Sequence, residues 1–209
     1  MWKFQLGSIP TLGDQFLDSF DRLGETDHLD GKYRLRKYSV VQKPEGFHGD
    51  SFIRLPERSF TQSSEYNNHQ GDLERKFDPI EDSAIYSHTM QECLSVFSHA
   101  STILNGDEIE IHQMRVLATD EGELSPEGVH QDGYDRIMMM GVGRENVTGG
   151  NMLLYKTKDG DPVVDMPLED GEFAILNDRV MWHNGSKPVR INPDEEGYMD
   201  FIIFLVNFS

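Results

Sequence analysis

From Asp107 onward the chain is written as short apolar runs cut at regular intervals by turn residues, and this punctuation constrains the fold more than any other feature. Candidate strands are 108–118, 134–142, 151–157, 162–167, 172–176, 179–183 and 198–207. Between them fall Gly122 through Gly128, Gly149-Gly150, Asp159-Gly160, Glu169-Asp170-Gly171, Asn177-Asp178 and the stretch 184–197. Strands this short and evenly spaced predict an antiparallel sandwich or barrel. Asp159-Gly160 predicts a hairpin with a type I′ turn, because both residues tolerate positive φ. The first 106 residues read differently. Leu12, Phe16, Phe20 and Leu23 share one face of a helix expected over 12–23, with Thr11 as N-cap and Gly24 closing it. A strand is expected over 33–42, polar loops from Pro44 to about Pro79, and a second helix over 81–99. No repeat or linker divides the chain, so residues 1–209 read as a single domain. The fold class is mainly β: a double-stranded β-helix (jelly roll, cupin-like) over 107–209, with the helices and loops of 1–106 packed on one sheet.

Charge narrows the partners. Lys and Arg number 19 against 37 Asp and Glu, a formal net charge of -18. Such an acid excess repels phosphate backbones and anionic lipid surfaces, which argues against nucleic-acid and membrane partners. At 37% hydrophobic residues the chain can still build a core. Cys93 is the single cysteine, so neither an intramolecular disulfide nor a thiolate metal cluster is expected. The first residues lack the apolar run of a signal peptide, and the expected location is the cytoplasm.

The chemistry concentrates in Pro126-Glu127-Gly128-Val129-His130-Gln131-Asp132-Gly133. His130 and Asp132 are two apart at the start of a strand, which puts both side chains on one face. His183 ends a later strand, and in a rolled sheet two such strand ends can meet at one mouth. Two imidazoles and a carboxylate on one face of a metal leave the opposite face open, as in the facial triads of non-haem Fe(II) oxygenases. The plainer reading of the same residues is an ordinary loop pair beside a satisfied core histidine. Met138-Met139-Met140 reads as core, Cys93 as a small buried apolar residue, and His112 as a surface or packing residue facing away from Gln113 and Arg115.

A longer similarity bears on that choice. Gln113-Met114-Arg115, Ser125 through Gly133, Arg144 through Asn151 and Trp182-His183-Asn184-Gly185 resemble corresponding segments of the 2-oxoglutarate/Fe(II)-dependent dioxygenases that include bacterial L-isoleucine 4-hydroxylase and related free-amino-acid hydroxylases. Weaker similarity extends through Tyr33-Arg34-Leu35-Arg36, Phe60-Thr61-Gln62 and Tyr66-Asn67. The resemblance implies His130, Asp132 and His183 as catalytic iron ligands, 2-oxoglutarate as cosubstrate, O2 as co-reactant, and hydroxylation of a small molecule, most simply a free L-amino acid. One position departs from the family pattern. Gly197-Tyr198 is followed by Met199, where a basic residue would hold the far carboxylate of 2-oxoglutarate. Arg190 and Arg115 are the candidate replacements, with Gln113 beside Arg115 on the face expected to point into the barrel; Arg115 or Arg34 could instead take a substrate carboxylate. Met199 also leaves open a metal-binding jelly roll without 2-oxoglutarate turnover. A third reading is a structural sandwich whose histidines are incidental.

Overall fold

The computed structural model describes residues 2–44, 51–67 and 69–208. Its elements in chain order are β1 (Phe4–Ser8), α1 (Asp14–Leu17), β2 (Arg34–Gln42), β3 (Ile53–Arg54), α2 (Asp82–Ile85), α3 (His88–Ser101), β4 (Glu108–Leu117), β5 (Arg136–Glu145), β6 (Val147–Gly149), β7 (Met152–Tyr155), β8 (Pro162–Met166), β9 (Glu172–Leu176), β10 (Trp182–Gly185), β11 (Pro188–Arg190) and β12 (Tyr198–Val206). Seven strands form one sheet in the order β1-β9-β5-β12-β4-β2-β3, and β10-β7-β8 form a second. A short β11-β6 pair makes a third. The paired strands are antiparallel, and the mainly β jelly roll is the architecture that the punctuation of the sequence implies.

The large sheet is buried on both sides. On one face Ile109 and Ile111 of β4, Met138 and Met140 of β5, and Ile202 and Phe204 of β12 join a core with Phe16, Phe20, Met90, Leu94 and Phe97. On the other, Ile137, Ala174, Leu176 and Leu205 pack with Met152 and Leu154 of the small sheet and with Met181. The methionine run therefore divides by strand parity, with Met138 and Met140 in the first core and Met139 against the second. Cys93 is buried in the first core, its Sγ 3.6 Å from Met140 Sδ.

The helices differ from expectation at their breaks. The segment predicted as one helix over 12–23 is a single turn, α1, followed by a 3₁₀ turn at Phe20–Arg22. Gly13, not Thr11, occupies the N-cap position, and Ser19 donates its hydroxyl to the Phe16 carbonyl at 2.6 Å. That local bond competes with helix propagation, while Phe16 and Phe20 keep their shared face in edge contact at 5.5 Å. The helix expected over 81–99 divides at Ser87. There the backbone is extended and the hydroxyl accepts the Met90 N–H at 3.2 Å, which caps α3.

The hairpin at Asp159-Gly160 joins β7 to β8, but neither residue has a positive φ. The connection spans 156–161, and a loop of that length does not require the two-residue primed turn. Short strands β1, β3, β6 and β11 lie outside the expected set. No helix among the described residues is long and apolar enough to cross a membrane.

Candidate metal centre

His130 and His183 face each other across a single antiparallel bridge. Each backbone N–H donates to the other residue's carbonyl at 2.9 Å. The chain from His130 to Asp132 does not enter a strand, since β5 begins only at Arg136. The alternation expected of a strand nevertheless holds locally. Gln131 points away, donating from Nε2 to the carbonyls of Asp178 and Met181, while His130 and Asp132 converge. Asp132 Oδ1 lies 3.4 Å from His130 Nε2, and Asp132 Oδ2 lies 3.4 Å from His183 Nε2. The imidazole centroids are 4.3 Å apart, and one donor atom from each residue falls within 4.8 Å of the others. Gly133 follows the turn at φ 87, and a Cβ there would meet the ring of Tyr66 at 2.6 Å.

Each donor is held from behind. His130 Nδ1 sits 2.8 Å from the Gly128 carbonyl, which fixes that nitrogen as the N–H and leaves Nε2 free to ligate. Asp178, whose side chain is fully buried, accepts the backbone N–H groups of Asp132, Gly133 and Tyr134 on Oδ2 at 2.9, 2.8 and 3.1 Å. Its Oδ1 lies 3.5 Å from His183 Nδ1. One carboxylate thus orients both ligand-bearing segments. Gln62 Nε2 donates to Asp132 Oδ1 at 2.9 Å, and Asn67 Nδ2 in turn donates to Gln62 Oε1 at 2.9 Å and to Glu127 Oε1 at 3.1 Å. Burial opposes ionisation of Asp132, yet the hydrogen bonds from His130 and His183 hold its carboxyl well below the usual range. Burial likewise opposes a charged His183, but Asp132 and Asp178 together lift it to about 10. The expected strand 179–183 is instead a turn whose Val180 and Met181 N–H groups donate to the Asn177 carbonyl, and β10 starts at Trp182.

The three donors open onto a cavity with about 1060 Å³ of free space, part of it continuous with solvent. One wall is apolar, built from Met139, Met152, Met199, Phe201, Ile203 and Leu205. Beside it, toward β4 and β2 of the same sheet, the lining includes Arg34, Arg36 and His112, with Gln62 and Arg75 from the loops. His112 is buried at 3% exposure between the rings of Tyr38 and Phe60, at centroid distances of 4.9 and 4.6 Å, so of the two alternatives, surface or packing, it is a packing residue.

The parity expected for β4 is corrected. His112 and Met114 face the cavity, whereas Gln113 and Arg115 lie on the opposite face. Gln113 Nε2 donates to Ser19 Oγ at 2.6 Å beneath the N-terminal helices. Arg115 makes two 2.7 Å bonds to Asp200 and one of 3.1 Å to Asp21, and stacks 4.0 Å over Tyr198. Arg190 is exposed on β11, away from the cavity. Met199 lines the cavity. Across the β5-β12 ladder from it, Arg144 donates from Nη2 to the Gly149 carbonyl at 2.6 Å, with Nη1 3.6 Å from Met199 Sδ.

The model of a family described as 2OG-Fe dioxygenase matches residues 17–205. The chain belongs to the 2OG-Fe dioxygenase family. No curated protein sequence matches it. Among solved structures, this dioxygenase is similar to a BsmA homologue from Methylobium petroleophilum PM1, with TM-score 0.81 and 22% identity over 94% of this chain and 81% of the other. It is also similar to IDO from Bacillus thuringiensis, with TM-score 0.74 and 18% identity over 93% and 81% of the two chains. A third is the Fe(II)/(alpha)ketoglutarate-dependent dioxygenase TqaL, with TM-score 0.69 and 14% identity over 94% and 75%. At these identities the likeness establishes the fold.

Members of the family use Fe(II) and 2-oxoglutarate. The donor set of the dioxygenase fits such a metal: two imidazole nitrogens and one carboxylate, close together, half-enclosed and open on the cavity side. Sequence reasoning missed Asp178, Gln62 and Asn67 as parts of the centre. Gln62 and Asn67 lie in the segments Phe60-Thr61-Gln62 and Tyr66-Asn67 that carry family similarity, and Asp178 lies five residues before His183 in a stretch read only as a turn.

Proposed function

We propose that this protein is a hydroxylase acting on a free L-amino acid, with His130, Asp132 and His183 as the ligands of Fe(II). The observation that carries the metal assignment is the convergence of the three donors on the open side of one cavity. When bound, iron and 2-oxoglutarate supply the oxidant: one oxygen atom of O2 enters succinate as CO2 leaves, and the other enters a substrate C–H bond. The chain supplies the rest. Asp178 and Gln62 fix the ligands, so no reorganisation is needed at the moment of binding. The apolar wall orients an aliphatic carbon and keeps water from it. The amino-acid substrate rests on the resemblance of the metal loop and its flanking segments, supported by a cavity with one apolar and one cationic side. We also read residues 1–209 as one dioxygenase domain, and its cytoplasmic location rests on the single cysteine.

The test is anaerobic visible absorption of the protein with Fe(II), titrated with 2-oxoglutarate, beside a His183→Ala control. A charge-transfer band that needs both additions and is absent from the control is the expected result, followed by succinate formation with members of an L-amino-acid panel. Iron binding without the band would leave a metal-binding jelly roll, the reading that Met199 favours.

A further inference from the structure

Met114, Met139, Met152 and Met199 all line the cavity, but one of them is set apart by its neighbour. Arg144 Nη1 lies 3.6 Å from Met199 Sδ, and among the described residues no other cavity methionine has a side-chain donor at its sulfur. The two residues are register partners on β5 and β12. The guanidinium is held in place from its other end, where Nη2 donates to the Gly149 carbonyl at 2.6 Å and Nε lies 3.9 Å from Glu169 Oε2. The sulfur also rests on Gly150. A Cβ there would collide with both Sδ and Cε of Met199, so a glycine is what lets the thioether lie against the backbone. Ala118, Leu124 and Val147 complete its packing.

The contact is chemically mismatched. A thioether is a weak acceptor, whereas a guanidinium N–H is a charged donor. Among the described residues Nη1 has no partner besides that sulfur. The match becomes a strong one once the sulfur carries an oxygen, because a sulfoxide oxygen is a polar acceptor. The same donor also eases the addition. As the sulfur lone pair attacks a peroxide oxygen, negative charge develops on the departing oxygen, and a fixed N–H stabilises such charge without reorganising. The cavity, with about 1060 Å³ of free space partly continuous with solvent, is wide enough for hydrogen peroxide. Access alone would favour a different residue, since Met199 is 6% exposed and Met139 is more open.

We propose that Met199 is a site of sulfoxidation by hydrogen peroxide, with Arg144 holding the oxygen that is added. An S–O bond forms and the peroxide O–O bond breaks. The sulfur is oxidised by two electrons, one peroxide oxygen stays on it, and the other leaves as water with both protons. A flexible apolar side chain thereby becomes a polar, chiral one. Peroxide thus switches the Met199 end of the cavity wall from apolar to polar. With Gly150 and Arg144 fixed around the sulfur, the oxygen enters on one lone pair and a single sulfoxide epimer forms. Neither iron nor 2-oxoglutarate enters this step, so it stands apart from the proposed function.

The protein is loaded with Zn(II), which keeps iron-driven radical chemistry out, and treated with hydrogen peroxide. Oxygen uptake at each methionine is then followed by site-resolved mass spectrometry of the digested chain. Met139 and Met152 serve as the reference for oxidation set by access to the same cavity. Met199 is expected to gain one oxygen about tenfold or more faster than either. Its peptide should then be reduced by one of the two epimer-specific methionine sulfoxide reductases and resist the other. In Arg144→Gln, which withdraws the charged donor, the lead of Met199 over Met139 and Met152 should disappear and both epimers should form. The wild type alone can overturn the proposal, by oxidising Met139 before Met199 or by yielding both Met199 epimers in equal amounts. A Gln variant that oxidises Met199 as fast as the wild type would overturn it too.

Discussion

Arg115 on β4 and Arg75 in the loop that lines the cavity lie on opposite sides of the large sheet, and they are treated in opposite ways. Arg115, on the helix side, is closed: Asp200 takes two of its donors, Asp21 a third, and Tyr198 covers the plane. Arg75, on the cavity side, is more deeply buried, and two of its donors are unmet among the described residues. A buried polar group that the fold has satisfied contributes to structure, and one that the fold leaves open at a cavity is available to something else. Along β4 the division is partial: on the helix side Gln113 donates to Ser19 but its Oε1 has no hydrogen-bond partner among the described residues, and on the other side neither ring nitrogen of His112 has one. Cavity-side changes should therefore cost binding with little stability, and helix-side changes the reverse.

Removal of a ligand should draw the distinction most sharply. In Asp132→Ala or His183→Ala, bound iron falls below detection by metal analysis, while the circular dichroism spectrum stays native. Asp178→Asn comes next. It keeps the shape but withdraws the charge from three N–H groups and from His183, and about 10- to 100-fold weaker metal affinity is expected in a competitive chelator titration. Undiminished affinity would deny Asp178 its positioning role.

The metal-free protein should also carry a pH signature. His183 is raised to about 10 by Asp132 and Asp178 against its burial, so its contribution to stability is complete below the unfolded value and is lost as pH rises through 10. The Tm of the apo form should accordingly fall between about pH 7 and pH 10. With zinc in place of the proton that decline should be reduced, and equal slopes for the two forms would contradict the pairing.

On the helix side, Arg115→Ala strands the largely buried Asp200 and should cost about 2 kcal/mol, which is about 4–8 °C in Tm for a chain of this size. Succinate production per folded molecule should not change; a fall in turnover at equal folding would erase the distinction between the faces. Smallest of all, exposed Arg190→Ala should stay within about 0.5 kcal/mol of wild type in a denaturant melt and keep the same 2-oxoglutarate affinity.

The strand pattern was legible because β4 follows Asp107, β5 lies between Asp135 and Asn146, and β12 lies between Gly197 and Asn207, each packing at least one apolar face. The metal triad was legible because the period of two survives locally around Gln131, even without a strand. What could not be read was which side of β4 is which. Its burial runs through Ile109, Ile111, His112, Gln113, Met114 and Val116, and a strand covered on both faces gives no alternation to choose between them. Gln113 and Arg115 were thereby exchanged for His112 and Met114. The breaks at Ser19 and Ser87 turn on single local hydroxyl contacts that a helical period does not reveal. Asp178 was hidden for a different reason: its partners are backbone N–H groups more than forty residues away in the chain.

The reciprocal hydrogen bonds between His130 and His183 also bear on how fast the site can fill. Because the two ligand backbones are tied directly to each other, the distance between them is determined when the sheet closes, before any ion arrives. Loading is then a matter of diffusion and dehydration at the cavity mouth, and the uptake rate should rise in proportion to ion concentration with no plateau from a slow rearrangement.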